Sequence, residues 1–259
     1  MAEVPGPNGP LEVLLTGSGS PITLFAHGLA SSIAETRPFG SGVRGTRVFF
    51  SFRGHGASAA PASPWTYAAL EGEVLAVCEA YDARRGVGIS LGAGALLRAA
   101  TSQPKSFDRL VLVLPAAPDQ PRSGRAVERV EVMASYAEKA NVEGLAAELL
   151  AEQPEHVRGR RMVQIWAHQQ AQRLVAPPLR AVMRDIPAMC PLQDRSVLKS
   201  VCCPVLVIGQ ENDEAHPSSV VHELIEALPD ARGKIFGPGG VLWTHRAALR
   251  PLISEFLND

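Results

Sequence analysis

The sequence predicts an α/β protein with a mostly parallel sheet flanked by helices. Short apolar runs rich in β-branched residues alternate with longer segments of helical periodicity, which is typical of strands joined by crossover helices. The chain has 259 residues, of which 46% are hydrophobic and 20% charged. A chain of this length and composition buries a sizeable core, so disorder and coiled coil are excluded.

The pattern predicts seven strands and four helices in this framework. The predicted strands span 11–15, 22–26, 47–52, 86–89, 110–114, 205–208 and 234–236. The predicted helices span 67–81, 91–101, 218–228 and 246–257. In the first helix, Tyr67, Leu70 and Val74 lie three or four residues apart, which predicts one apolar stripe facing the sheet.

A helical insertion is predicted between residues 119 and 195. The strand pattern disappears there, and helical composition is clearest over 145–151 and 162–175. No linker is long enough to separate independently folding units. We therefore predict one core, formed by 1–118 and 196–259, with residues 119–195 inserted into it.

Charge and hydropathy exclude several kinds of partner. Twenty-five Lys and Arg face 26 Asp and Glu, so the net charge of −1 lacks the basic excess that attracts nucleic acid or anionic lipid. The longest near-continuous apolar run, 110–117, is far shorter than the roughly 18 residues of a membrane span. Residues 1–10 lack the pattern of a secretory signal, so we expect a cytoplasmic protein. Its oligomeric state is left open.

The sequence contains no pattern typical of a metal or cofactor site. Four cysteines are too few for a disulfide scaffold, and no Cys or His cluster has zinc spacing. Neither a dinucleotide-binding glycine motif, a phosphate-binding loop nor an HExxH motif is present. We therefore expect no cofactor and no metal. Cys202 and Cys203 adjoin a short apolar strand, and we expect both to be buried as small apolar side chains.

The strongest chemical motif is the G-x-S-x-G of residues 88–92. It follows the predicted strand 86–89 and begins the predicted helix 91–101. At such a turn Ser90 adopts a strained backbone conformation, and Gly88 and Gly92 remove side chains that would clash with the neighbouring chain. Ser90 Oγ is then exposed as a nucleophile. The N–H of Leu91, at the start of the helix, is placed to stabilise an oxyanion.

Two further motifs follow the early strands. Phe25-Ala26-His27-Gly28-Leu29 ends the strand 22–26, and Phe52-Arg53-Gly54-His55-Gly56 ends the next. Together with the serine turn, they resemble the α/β-hydrolase superfamily over nearly the whole chain. The resemblance implies an α/β-hydrolase fold with an inserted helical cap.

The resemblance also implies roles for individual residues. The second oxyanion N–H is implied at Leu29, and Arg53 and His55 are implied to shape a turn rather than to catalyse. The family often has an aspartate two positions before that arginine. This chain has Ser51 there, so a local ion pair is expected to be missing.

A serine nucleophile needs a base, and the base needs an acid to orient it. The run 209–217 resembles the family's loop after the penultimate strand, which implies Asp213 as the acid. Glu211 is the nearby alternative. Asp119 is another, because some family members place their acid after the strand that precedes it.

The position of the base departs from the family pattern. The family usually has Gly-His shortly after its last strand, whereas this chain has Val241 at the corresponding place. His245 follows four residues later and completes the chain order Ser, Asp, His. We therefore predict His245 as the base. His216, three residues after Asp213, is the alternative.

These residues predict a cofactor-independent serine hydrolase. Serine at position 90 forms an acyl-enzyme, which favours a carboxylic ester, thioester or lactone as substrate, of hydrophobic character. Ile165, Trp166, Leu174 and Met183 of the insertion are candidate pocket residues, although packing within the insertion explains them equally well. The alternatives are a C–C bond hydrolase or secondary-metabolism enzyme on the same scaffold, and a catalytically degenerate fold that binds a ligand.

Overall fold

The protein is described by a computed structural model that covers residues 1–61 and 64–259. Eight strands form one sheet: β1 (Ala2–Gly6), β2 (Gly9–Thr16), β3 (Ile22–Ala26), β4 (Thr46–Phe50), β5 (Arg85–Ile89), β6 (Arg109–Val113), β7 (Val205–Gln210) and β8 (Ala231–Phe236). Their order is β1-β2-β4-β3-β5-β6-β7-β8. β1 and β2 pair antiparallel, as do β2 and β4, and the remaining pairs are parallel.

Helices follow most of the strands. They are α1 (Ile33–Thr36), α2 (Tyr67–Tyr81), α3 (Leu91–Ser102), α4 (Arg125–Glu138), α5 (Val142–Ala151), α6 (Glu155–Arg158), α7 (Arg161–Val175), α8 (Pro177–Arg180), α9 (Ser219–Ala227) and α10 (Arg246–Asn258). Short 3-10 segments span Arg37–Gly40, Ile186–Ala188 and Arg195–Ser200, and a single π-helical turn spans Gly240–Thr244. None of the helices in the described part of the chain has the length and apolar character needed to cross a bilayer.

The predicted fold class is confirmed. Each of the seven predicted strands and four predicted helices is present, with ends that differ by at most three residues. The sequence did not indicate β1. Only Val4 is buried in that strand, so the alternation that marks a half-buried strand is missing, and its pairing with β2 at the sheet edge creates it.

The central strands are buried on both faces, which explains their continuous apolar sequence. Successive residues point to opposite sides of the sheet, so Leu24 and Leu110 pack into one core while Phe25 and Val111 pack into the other. The first core includes residues of α2 and α3, and the second includes residues of α10. The sheet therefore separates two cores, and the carboxyl ends of its parallel strands meet at one edge.

An ion pair buried in the core anchors the turn after β4. Arg53 Nε lies 2.5 Å from Glu73 Oε1 of α2, and both side chains are 1% exposed. The backbone N–H of Arg53 also donates to Glu73 Oε2 (3.1 Å). The local ion pair expected to be missing at Ser51 is therefore replaced by a pair with Glu73, which comes from a helix distant in sequence. Ser51 instead donates its hydroxyl to Glu12 (2.8 Å).

The helices α4 to α8 lie between β6 and β7, within the insertion predicted over 119–195. Arg173 of α7 donates to the carbonyl of Ala30 (2.8 Å). Gln170 of the same helix donates to Glu35 (2.8 Å). These contacts attach the inserted helices to the loop that follows β3.

The cysteines are all free thiols. Cys203 is buried as expected, but Cys202 is exposed, with its Sγ 3.2 Å from the carbonyl of Ser200. The expectation for Cys202 was wrong because this residue lies in the loop before β7, where neighbouring side chains point in different directions.

Replacing Glu73 with Gln is expected to destabilise the fold strongly. The change removes the carboxylate that compensates a buried guanidinium, which costs about 3–5 kcal/mol. Asp108→Asn is the matched control, because its pair with Arg84 is about half exposed and is worth at most about 1 kcal/mol. Urea unfolding measures the free energy of unfolding of both variants. Equal losses of stability would contradict the role of the buried Arg53–Glu73 pair.

Candidate active site

Ser90 occupies a sharp turn between β5 and α3. Its backbone angles are φ 49° and ψ −110°, a region in which a non-glycine residue is strained. Its N–H donates to the carbonyl of Val113 (2.9 Å), and its own carbonyl accepts from the N–H of Gly94 (3.1 Å). The neighbouring strand and the first turn of the helix hold the residue in this conformation.

The glycines of the motif are required by close backbone contacts. A Cβ on Gly88 would lie 2.5 Å from the carbonyl oxygen of Gly92. A Cβ on Gly92 would lie 2.3 Å from the carbonyl oxygen of Ala26. No side chain fits at either position, so the turn packs directly against the end of β3.

His216 lies beside the serine. Its Nε2 is 2.8 Å from Ser90 Oγ. Its Nδ1 is 3.2 Å from Asp213 Oδ2 and 3.3 Å from Oδ1. Serine, imidazole and carboxylate therefore form a continuous hydrogen-bonded chain, which is the arrangement that activates a serine for nucleophilic attack.

The loop after β7 supplies both the carboxylate and the imidazole. Asp213 Oδ1 accepts the backbone N–H groups of Ala215 and His216, each at 3.0 Å. This local turn fixes the backbone between the two side chains. A separation of three residues therefore suffices to bring His216 Nδ1 to the Asp213 carboxylate.

The electrostatics of this loop keep Asp213 ionised. Burial is the largest influence on its pKa and acts to raise it, but the charge of His216 and the hydrogen bonds from His216 and Ala215 outweigh burial. The pKa of Asp213 is therefore below its usual value. An ionised carboxylate is the group that stabilises a protonated imidazole beside it.

The structure does not bring His245, the predicted base, to the serine. His245 Nε2 contacts the carbonyl of Gly237 (2.9 Å), and the ring stacks on Phe236 with centroids 5.0 Å apart. Gly239 and Gly240 have positive φ values of 146° and 82°, and a π-helical turn follows. The residues before His245, which were expected to extend the loop toward Ser90, form this π-helical turn instead.

Val241 stands where the family histidine was expected, and its backbone is fixed by the sheet. The N–H of Val241 donates to Gln210 Oε1 at 2.6 Å. Gln210 ends β7 and is buried. The π-helical turn is therefore attached to the same strand that positions Asp213 and His216.

The two alternative acids lie in different surroundings. Asp119 forms two hydrogen bonds with Arg195 at 2.8 and 2.9 Å. The bonds from Arg195 are the main reason why the pKa of Asp119 is lowered. Glu211 lines the cavity beside the serine, but His216 Nδ1 contacts Asp213.

Leu29 and Leu91 both line the cavity beside Ser90. Leu91 is the first residue of α3, so its N–H has no intrahelical acceptor. A Cβ on Gly28 would lie 3.5 Å from the Cβ of Ser90, which shows how closely the loop carrying Leu29 approaches the serine. This geometry is compatible with an oxyanion site formed by the two N–H groups.

Two buried histidines hold the loop that carries Leu29. His27 Nε2 accepts the N–H of Phe52 (3.0 Å), and its Nδ1 donates to the carbonyl of Gly28 (2.7 Å). His55 Nε2 accepts the N–H of Ala30 (2.9 Å). Acceptance at Nε2 requires both rings to be neutral, and burial provides this by lowering the pKa of His27 to about 4 and that of His55 well below its usual value.

A cavity of about 630 Å³ opens at Ser90 and extends under the inserted helices. Trp166, Leu174 and Met183 line it as expected, whereas Ile165 does not. Charged side chains also reach it, including Arg122. Among the described residues, no group of three or more His, Cys, Asp or Glu side chains forms a metal site.

A model of the alpha/beta hydrolase family matches residues 23–251 of the chain. The search of curated proteins found no match to this chain. The solved structures that it resembles include the enol-lactonase from Burkholderia xenovorans LB400, with a TM-score of 0.82, 21% identity and 100% of both chains covered. An esterase from Exiguobacterium antarcticum has a TM-score of 0.80 and 17% identity, with 99% of both chains covered.

A third similar structure is a meta-cleavage product hydrolase from Pseudomonas fluorescens IP01. Its TM-score is 0.82 at 17% identity, and the alignment covers 100% of this chain and 97% of the other. At these identities the three structures establish the shared fold alone. Their names describe different reactions, so they do not assign a reaction to this chain.

Gly92→Ala is expected to disrupt the serine turn. The added methyl group would meet the backbone of Ala26, so the expected destabilisation is about 3 kcal/mol, the upper end of the typical range for overpacking. Gly159→Ala is the matched control, because nothing lies within 4 Å of the added methyl and the expected change is below about 1 kcal/mol. Unfolding midpoints in urea compare the two, and a stable Gly92→Ala variant would refute the packing argument.

The depressed pKa of His27 predicts that acid destabilises the fold. Below pH 6.5 the unfolded chain binds a proton at His27, but the folded chain does not until about pH 4. Stability contributed by the neutral ring is therefore lost as pH falls between these values, at about 1.4 kcal/mol per pH unit. Urea unfolding of the parent and of His27→Gln at pH 7.5, 6 and 5 isolates this slope. Equal slopes in the two proteins would contradict the prediction.

Proposed function

Because the chain belongs to the alpha/beta hydrolase family, we propose that it is a serine hydrolase that cleaves a carboxylic ester, thioester or lactone. The observation that carries the proposal is the hydrogen-bonded chain from Ser90 Oγ through His216 to Asp213 at the cavity wall. His216 takes the place of His245 as the proposed base, because His245 Nε2 is engaged by Gly237.

Acylation begins with Ser90. His216 Nε2 accepts the hydroxyl proton as Oγ attacks the carbonyl carbon of the substrate. The Asp213 carboxylate holds Nδ1–H and stabilises the imidazolium. The oxygen of the attacked carbonyl gains negative charge, and the N–H groups of Leu29 and Leu91 are the proposed donors to it.

The tetrahedral intermediate formed by this attack collapses to the acyl-enzyme. His216 donates its proton to the leaving alcohol, thiol or lactone oxygen, and the bond to that atom breaks. A water molecule then gives its proton to His216 and attacks the acyl carbon. Ser90 leaves with that proton, and the acid is released. No cofactor is required, since each proton moves between the substrate, water, Ser90 and His216.

The insertion is the proposed cap of the active site. Trp166, Leu174 and Met183 give the cavity an apolar wall on this side, which supports a substrate with a hydrophobic part. Arg129 of α4 reaches Glu214, one residue after Asp213, at 3.4 Å. The cap therefore contacts the loop that carries the proposed base.

Mass spectrometry after exposure to a fluorophosphonate probe tests the nucleophile and its base. The parent is expected to gain one adduct, and Ser90→Ala none. His216→Ala is expected to react about 10²–10⁴-fold more slowly because it lacks the general base. His245→Ala is the matched histidine control and is expected to react at the parental rate.

Two outcomes would overturn these assignments. Loss of labelling in His245→Ala, with full labelling in His216→Ala, would return the base to His245. A parent that acquires no adduct would favour a ligand-binding protein without turnover. If the parent is labelled, a panel of esters, thioesters and lactones, with a meta-cleavage product as the C–C substrate, separates ester cleavage from C–C cleavage.

A further inference from the structure

A second, smaller groove lies beside the catalytic cavity and plays no part in the mechanism above. Its volume is about 280 Å³, close to the lower end of the roughly 300–1,000 Å³ range of small-molecule sites. It runs between α7 of the insertion, the segment around Phe39 and the start of α10. We refer to it as the α7–α10 groove; its lining includes Phe39, Met162, Ile165, Leu249, Arg246 and Arg250.

Two apolar side chains of the groove are exposed to solvent. Met162 is 67% exposed and Ile165 is 46% exposed. They lie three residues apart on one face of α7. Leu249 and Phe39 are buried beneath the groove. These four side chains give the groove an apolar side.

The other side of the groove carries two arginines without acidic partners. Arg246 and Arg250 are one helical turn apart on α10. Across the described residues, neither forms an ion pair with a carboxylate. Arg250 Nε is buried and has no hydrogen-bond acceptor among the residues that the structure describes.

Glu35 is the one acidic residue among the described residues that line the groove, and its charge is already balanced. Glu35 accepts hydrogen bonds from Gln170 and Ser31 and forms an ion pair with Arg173. The charge that remains available in the groove is therefore positive and comes from α10.

An aromatic pair stands between the groove and the catalytic cavity. Trp166 and Trp243 pack edge to face with centroids 5.6 Å apart, and both line the two spaces. Trp243 Nε1 donates to Gln153 of the insertion (2.8 Å). The groove is thus a separate space that shares one wall with the catalytic cavity.

We propose that the α7–α10 groove binds a free single-chain amphiphile with one anionic head group, such as a medium-chain carboxylate. The chain lies over Met162 and Ile165, and the head group accepts hydrogen bonds from Arg250 and Arg246. The two positive charges balance the negative charge of the head group, and guanidinium groups suit the planar geometry of a carboxylate. An apolar floor with a positive end selects such a molecule over a neutral or a cationic one.

Calorimetric titration of the Ser90→Ala protein with dodecanoate, below its micellar concentration, tests the site. Because this protein has no serine nucleophile, the result is independent of the proposed hydrolytic activity. We expect saturable binding of one dodecanoate. Arg250→Gln is expected to weaken it roughly tenfold or more, through loss of a charge-assisted hydrogen bond, and Ile165→Ser is expected to weaken it as well. Arg122→Gln, an arginine that lines only the catalytic cavity, is the matched control and is expected to leave it unchanged.

Four results would overturn the proposal. Dodecanoate that fails to bind would show that the groove does not accept the ligand. Weakening by Arg122→Gln but not by Arg250→Gln would place dodecanoate in the catalytic cavity. Equal binding of dodecanol would remove the role of the arginines. Co-sedimentation with phosphatidylglycerol vesicles that depends on Arg250, without binding of free dodecanoate, would identify a lipid surface as the partner.

Discussion

The active site depends on one close backbone contact, the approach of Gly92 to the carbonyl of Ala26. This contact lets α3 start directly against the end of β3, at the turn where Ser90 has its strained conformation. The same contact brings the loop containing Leu29 next to the serine. The neighbouring strand and the first turn of α3 hold this strained conformation, so Ser90, the proposed nucleophile, has a fixed position.

The loop after β7 carries both the proposed acid and the proposed base, which the sequence prediction placed on separate loops. Asp213 and His216 lie within one turn, and the N–H groups of that turn bind the same carboxylate that orients the imidazole. The segment after β8 is thereby free to form a wall, and Gln210 fixes that wall through Val241. Both structures are held by a single strand, β7.

The side chains that hold the loop after β3 in place beside Ser90 are largely uncharged and buried. His27 and His55 act as uncharged hydrogen-bond acceptors, so the loop after β3 is held without a buried charge. The turn after β4 is held differently, by two buried charges of Arg53 and Glu73 that compensate each other. The inserted helices add a third attachment, because Arg173 binds the carbonyl of Ala30.

The sequence by itself determined the fold class, the main strands and the strand-to-helix turn of Ser90, because local periodicity and the glycine spacing encode them. For the base beside Ser90 it favoured His245 and kept His216 as the alternative, and both follow Asp213 in the chain. Only the tertiary structure decided between them, since the π-helical turn holds His245 at Gly237 while the turn at Asp213 brings His216 to 2.8 Å from Ser90 Oγ. Strand β1 and the Arg53–Glu73 pair likewise depend on partners distant in sequence. Distances between separate segments are set by packing, and no local pattern records them.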